Sequence, residues 1–361
     1  MSLALTQFET LKKKRKKSFA VIIALLIATL FCAVYALSSG SSPLAFSKII
    51  SFVAEKLSLA SASLTQAESY IISELRLPRL CMAILTGIVL ASSGAAMQGV
   101  FRNPLADPGI LGVNSGASLG AALMIVLGTY IIPESLGAFR LYSIPLGAFL
   151  GALIVTVLLY KIGSVNGRTN TAMLLLGGIA LQAMVGAALG LLTFIADEEE
   201  LRSLTFWSMG SLDISGWQEL AFLAPICFFA YFMIHRQAKA LNSLLLGEAE
   251  AIHLGYNVQS LKIQLIIWTS LAVGVTVAFT GGIGFIGLVA PHLIRLMLGP
   301  DHRILFPASA LCGACLLLIA DTLARTIASP VEIPIGIITA ALGSPFFLAL
   351  LFKARNKGFS L

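Results

Sequence analysis

Lys12-Lys13-Lys14-Arg15-Lys16-Lys17 leads through Ser18 into an apolar stretch from Phe19 to Leu37. Six cations followed by about 20 apolar residues read as a helix that starts in the cytoplasm and crosses a bilayer, since basic residues are retained inside. A cleaved secretory signal would have an apolar core of about 7–15 residues. Ala33-Val-Tyr-Ala36 could serve such a cleavage, but the length of the run favours a retained first span.

The rest of the chain extends this reading. Of its 361 residues 58% are hydrophobic and 11% charged, and the mean hydropathy is +0.93. Soluble domains carry about 25% charge, so an ordinary water-soluble enzyme is excluded. The net charge of +7 raises nucleic acid as a partner. The placement of the charges argues instead for a lipid bilayer and no nucleic acid. Ten apolar runs occur, at 19–38, 76–101, 111–132, 142–161, 171–195, 219–235, 261–281, 283–298, 305–325 and 333–352. They predict an all-α integral membrane protein with ten transmembrane helices in one domain over 19–352. A basic cytoplasmic segment (1–18) precedes it and a cytoplasmic tail (353–361) follows. On this topology 17 of the 24 basic residues and 5 of the 17 acidic ones lie inside, the asymmetry that sets orientation.

A weak repeat accompanies the spans. Gly87, Ala91, Gly94 and Pro104 recur as Gly274, Ala278, Gly281 and Pro291, and the two copies run in opposite directions. Inverted repeats are common in transporters; chance spacing in Gly-rich helices is the plain alternative.

No residue set for chemistry is present. There is no phosphate-cradling Gly-x-x-x-x-Gly-Lys-Ser/Thr and no His-Glu-x-x-His. Cys312-Gly-Ala-Cys315 lies mid-span without a second pair and reads as packing. Catalytic residues, bound metal and bound cofactor are all expected to be absent.

Binding residues are better marked. Arg76 and Arg79 share a helix face, and Arg325 ends the ninth span. Guanidinium groups there suit the carboxylates of a soluble partner. Pairing with Asp321, four residues before Arg325, is the structural alternative. Inside, Gly247, Glu248, Ala249, Glu250, Leu254 and Gly255 fall in a short amphipathic segment (within 240–260) that suits helix, turn, helix, a protrusion on which a motor could pull. Gln98, Asn114, Gln182 and His292 are polar within the spans, where polar groups are costly and tend to face a pathway. The acids cluster at span ends, so a secondary transporter lacks its coupling carboxylate, Asp321 being the near-exception; a receptor would need an effector domain.

Several motifs together resemble the FecCD family of permeases, the membrane subunits of ABC importers for iron complexes and vitamin B12. They include Leu75-Arg-Leu-Pro-Arg79, Gly94-Ala-Ala-Met-Gln98, Asn103-Pro-Leu-Ala-Asp-Pro-Gly109, Leu246-Gly-Glu248, Gly284-Phe-Ile-Gly-Leu288, Pro291-His292, Asp301-His-Arg303, Ile333-Pro-Ile-Gly336 and Leu342-Gly-Ser-Pro345. The resemblance implies a homodimer in the bacterial inner membrane, with a pathway on its two-fold axis. A periplasmic substrate-binding protein would dock on Arg76, Arg79 and Arg325. Two cytoplasmic ATPase subunits, which use ATP and Mg, would grip 247–255. Asn170 and Thr171 fall on the cytoplasmic gate, where Asn170 departs from the small hydroxyl residue of the vitamin B12 importer. Phe101-Arg-Asn-Pro and Leu204-Thr-Phe-Trp-Ser-Met-Gly-Ser211 look most like haem permeases of Gram-negative bacteria, with ferric siderophores and vitamin B12 as the alternative cargoes. The implied function is haem import by ATP-driven alternating access.

Overall fold

The computed structural model describes residues 2–40, 44–59, 64–132, 142–165, 168–213 and 216–356. It is helical throughout apart from one two-rung antiparallel hairpin. In chain order the elements are α1 (Ser2–Ser38), α2 (Phe46–Lys56), α3 (Gln66–Tyr70), α4 (Leu77–Val100), α5 (Val113–Ile131) and α6 (Ser143–Gly163). Next come the strands β1 (Ser164–Val165) and β2 (Arg168–Thr169), then α7 (Thr171–Ile195), α8 (Glu198–Met209), α9 (Trp217–Arg236) and α10 (Ala238–Leu244). The chain ends with α11 (Glu248–His253), α12 (Val258–Thr280), α13 (Ile286–Leu298), α14 (His302–Thr326) and α15 (Ile335–Asn356).

Among the described residues eight helices are long and apolar enough to cross a membrane, and they coincide with eight of the ten expected spans. The other two, the eighth and tenth, are shorter: Ile286–Leu298, and Ile335–Ala349 within α15. At 1.5 Å per residue α13 covers about 20 Å, less than the ~30 Å hydrocarbon core. Its expected first turn is instead an irregular Gly-rich approach, with Gly281 and Phe285 at positive φ. Irregular backbone at such depth persists only where protein satisfies it. Here Ser211 N donates to Thr280 O at 2.8 Å and Ile335 N to Gly210 O at 3.2 Å. Gly281, Gly282 and Gly336 form a cradle around the carbonyls of residues 207–209.

The boundaries differ from expectation at both ends, where α1 begins before 19 and α15 runs past 352 to Asn356, and in the polar stretches between spans. The basic segment is not separate: α1 runs unbroken through Lys12–Lys17, because Lys and Arg are good helix formers and extending a helix is easier than starting one. The polar stretches 39–75 and 196–218 contain α2, α3 and α8, each of the last two opened by a capping box, at Thr65/Glu68 and Asp197/Glu200.

Helix α4 is the centre. It packs on α14, α13, α12 and α9, and α1 packs mainly against α14. Backbones touch where side chains vanish: Gly87 meets Gly313 between α4 and α14. In α5 and α6, Gly116-x-x-x-Gly120 faces Gly147-x-x-x-Gly151, and each glycine lies against a carbonyl of the other helix. Without a hydrophobic drive between helices in lipid, such close approach supplies the packing. The repeated glycines do unlike jobs: Gly94 lies inside α4 against Gly287, whereas Gly281 ends α12 at φ +66°.

A Cβ at Gly120 would overlap the Gly147 carbonyl, whereas one at Gly128 would meet only Met124 Cβ at 4.0 Å. Gly120→Val is therefore expected to destabilise the fold by about 1–3 kcal/mol or more. Gly128→Ala should be neutral, both measured by thermal unfolding in detergent.

Candidate functional site

Two polar clusters sit at opposite ends of the bundle. At the first, α1 finishes between the start of α4 and the end of α14. Residues Ile71–Arg76 form one wide π-helical turn ahead of Pro78, which has no N–H to continue the ladder. Arg76 and Arg79 leave this turn toward α1 and α14.

Arg79 Nε donates to Asp321 Oδ1 at 2.9 Å, while its Nη atoms reach Glu332 at 2.8 Å and Asp213 at 3.3 Å. Arg325 Nε donates to the other Asp321 oxygen at 3.0 Å. Its Nη1 and Nη2 donate to the carbonyls of Ser39 and Ala36, both at 3.1 Å. Arg76 Nη1 donates to the Leu37 carbonyl. The last carbonyls of a helix have no intrahelical partner, and cations favour that end; the two arginines supply both needs for α1. Gly40, at φ +140°, lets the chain turn so tightly that a Cβ there would lie 3.2 Å from Arg76 Nη2.

Asp321 is 1% exposed, Arg325 7% and Arg76 8%. The three arginines expected to face a docking partner are turned onto their own chain, and the Asp321 pairing suggested by the i,i+4 spacing is present. The reason is physical: a buried guanidinium must be neutralised or hydrogen-bonded. Arg79 borders a polar cavity of about 150 Å³ walled by Ser211, Asp213, Glu332 and Pro334. Asp213 is its exposed wall, and the 204–211 segment contributes Phe206, Gly210 and Ser211. Neither Glu332 nor Asp213 stands out in the sequence, because they reach Arg79 from loops distant in the chain.

The second cluster surrounds the expected coupling segment, which is helix, turn, helix: α10, a turn through Gly247 at φ +125°, then α11 and Gly255 at φ +86°. Its inner face is anchored. Ala251 is buried, and Glu248 accepts a 2.8 Å hydrogen bond from the buried Lys262 of α12. Asn242 Nδ2 donates to Asp301 Oδ1 at 2.6 Å, and its Oδ1 accepts from His302 N at 2.8 Å, tying α10 to the first turn of α14. An Asp before a helical run is an N-cap signal, so Asp301 was findable; its partner Asn242 was not. The outer face is exposed, with Ala249, Glu250, Ile252 and Leu254.

Nearby, Asn170 caps α7, its Oδ1 accepting from Ala172 N at 3.0 Å and Met173 N at 3.2 Å, with half-buried Thr171 next. Thr169 N donates to Gln259 Oε1 at 2.8 Å, which joins the hairpin to the first turn of α12. Asn therefore does the capping work of a hydroxyl residue.

The intramembrane polar residues separate. Gln98 is fully buried; Nε2 donates to the Leu288 carbonyl at 3.3 Å and Oε1 accepts from Arg295 at 3.2 Å, so it braces α4 against α13. Asn114 is half-buried beside the 101–112 break. There Asp107 accepts from Gly109 N at 2.7 Å, and burial raises its carboxyl above the ordinary value. His292 stacks edge-on with Phe346. Gln182 alone is exposed, midway along α7. Among the described residues no cluster of three or more His, Cys, Asp or Glu could hold a metal.

Comparison with known proteins adds the following. The sequence pattern of the FecCD transport family matches residues 25–353. The chain is 46% identical to the hemin transport system permease HmuU of Yersinia pestis, over 83% of this chain and 88% of that protein. It is 42% identical to the cobalamin import permease BtuC of Halobacterium salinarum, over 78% of this chain and 73% of that one. A solved transporter described as of metal-chelate ABC type, in an inward-facing conformation, superposes with a TM-score of 0.78 at 32% identity, covering 93% of this chain and 99% of the other.

Asn170→Ala removes the α7 cap and is expected to cost about 1 kcal/mol of stability, whereas Asn170→Ser should keep it. Thermal unfolding of the two variants checks this.

Proposed function

This chain belongs to the FecCD transport family, and on that premise we propose that it carries haem inward across the inner membrane. Within the family the chain is a multi-pass permease subunit, and ATP hydrolysis belongs to a separate subunit. The observation that carries the haem reading is the 46% identity to the hemin permease, against 42% for the cobalamin permease. The Leu204–Ser211 segment beside the Arg79 cavity is the local feature that supports it.

Two copies stand side by side, with the pathway between their α7 faces. Gln182 supports this arrangement. A polar amide exposed mid-span is costly against lipid, but not against a hydrated path, and exposed Leu176, Ile179 and Met184 surround it. The arginine end faces the periplasm, and both termini are cytoplasmic. A binding-protein carboxylate docks at the Arg79 cavity by replacing Asp213, whose 3.3 Å contact is the longest of the Arg79 set. Arg76 and Arg325 act there by holding the surface in shape.

At the other end two ATPase subunits grip the exposed side of 247–255. ATP-driven closure moves α11, and the motion passes through Glu248–Lys262 to α12 and through Asn242–Asp301 to α14. The Thr169–Gln259 bonds carry it from α12 to Asn170 and Thr171 at the gate. The cycle is alternating access, and the chain does no covalent chemistry.

Proteoliposomes holding the permease, its ATPase and its binding protein should accumulate haem only with internal ATP, in preference to cobalamin and ferric siderophore. Uptake of cobalamin without haem would overturn the cargo, and uptake driven by an ion gradient without ATPase would overturn the mechanism. Ile252→Asp with Leu254→Asp should weaken ATPase assembly by at least about tenfold while leaving permease thermal stability unchanged, as read by co-purification and unfolding.

A further inference from the structure

The basic run ahead of the first span has a geometry that orientation alone does not require. Lys12, Arg15, Lys16, Phe19 and Ile22 are spaced by three and four, so they form one stripe of α1. Further along, the same face meets α14: Thr29 Oγ1 lies 3.3 Å from the Leu311 carbonyl, and Cys32 Sγ lies 3.7 Å from Cys315 Sγ. Where the stripe turns basic, α1 and the first turn of α14 separate. Between them opens a crevice of about 530 Å³, walled by Lys12, Arg15, Lys16, Ser18, Phe19, Ile22 and Ile304. None of the described lining residues is acidic. Lys13, Lys14 and Lys17 do not line it.

The crevice is therefore graded along its length. Three cations form one end and apolar side chains form the floor, about 15 Å apart from Lys12 to Ile22 at 1.5 Å per residue. We propose that it binds an anionic phospholipid of the leaflet on the basic side. The phosphate sits among Lys12, Arg15 and Lys16, with the Arg15 fork suited to two phosphate oxygens. An acyl chain lies along Phe19, Ile22 and Ile304. Basic crevices between membrane helices suit such headgroups. A free phosphate would leave the apolar floor uncovered. An acidic protein surface would reach the cations but not the floor, which continues into the first span.

The test uses the full chain in vesicles of phosphatidylcholine with a minor fraction of phosphatidylglycerol, followed by mild extraction and native mass spectrometry of retained lipid. Phosphatidylglycerol should be retained over phosphatidylcholine, and excess inorganic phosphate should not displace it. Lys12→Gln/Arg15→Gln/Lys16→Gln should lower retention by at least about tenfold, since each surface cation contributes on the order of fivefold. Lys13→Gln/Lys14→Gln/Lys17→Gln removes the same charge from residues that do not line the crevice and should lower retention clearly less than the first variant. Equal loss in both variants would overturn the proposal in favour of diffuse attraction, and displacement by phosphate would overturn it in favour of an ion site. Unchanged retention with lost ATPase assembly in the first variant would assign the stripe to a protein partner instead.

Discussion

Asp321, held between Arg79 and Arg325, is the interaction on which the rest of the molecule depends. A carboxylate buried at the edge of a bilayer cannot stay ionised alone, and removing one partner of such a pair costs about 3–5 kcal/mol. Here the carboxylate uses one oxygen for each guanidinium. The arginines place their remaining donors on Glu332, Asp213 and the open carbonyls of α1. One acid thus fixes the ends of α1, α4 and α14 and two loops. It also removes Asp321 as a coupling carboxylate, because its charge is neutralised twice.

The opposite end is joined differently. Asn242–Asp301 and Glu248–Lys262 are pairwise contacts between neighbouring elements, and the exposed face of α11 has no anchor among the described residues. The first end is a network closed on one acid, and the second is a set of separate contacts between neighbouring elements. The glycine contacts between α4 and α14 and between α5 and α6 bring these helix pairs into backbone contact.

Much of this was legible in the sequence. The basic run, the span lengths and the short helix with glycines at both ends at 247–255 follow from charge placement, hydropathy and glycine spacing, all local properties. The arginine end was legible in part: the spacing of Asp321 and Arg325 carries their pairing, but the carbonyls of Ala36, Leu37 and Ser39 are backbone atoms that no residue pattern advertises. Gln98 looked like a pathway residue because it is polar mid-span, yet its partner Arg295 lies 197 positions away. The shortness of α13 was hidden because Gly281–Phe285 is as apolar as a helix. Its non-helical course goes with the cradle that Gly281 and Gly282 form for the carbonyls of residues 207 and 208.

The measurement that bears most directly on this account is a double-mutant cycle between Arg79 and Asp321. Arg79→Gln, Asp321→Asn and the double variant of the full chain would be unfolded in one defined detergent. Each single change strips one charge-assisted hydrogen bond from a buried partner, so the double variant should be more stable than the sum of the two losses by about 1–3 kcal/mol. Losses that add to within about 0.5 kcal/mol would contradict the claim that this buried pair holds the arginine end of the bundle together.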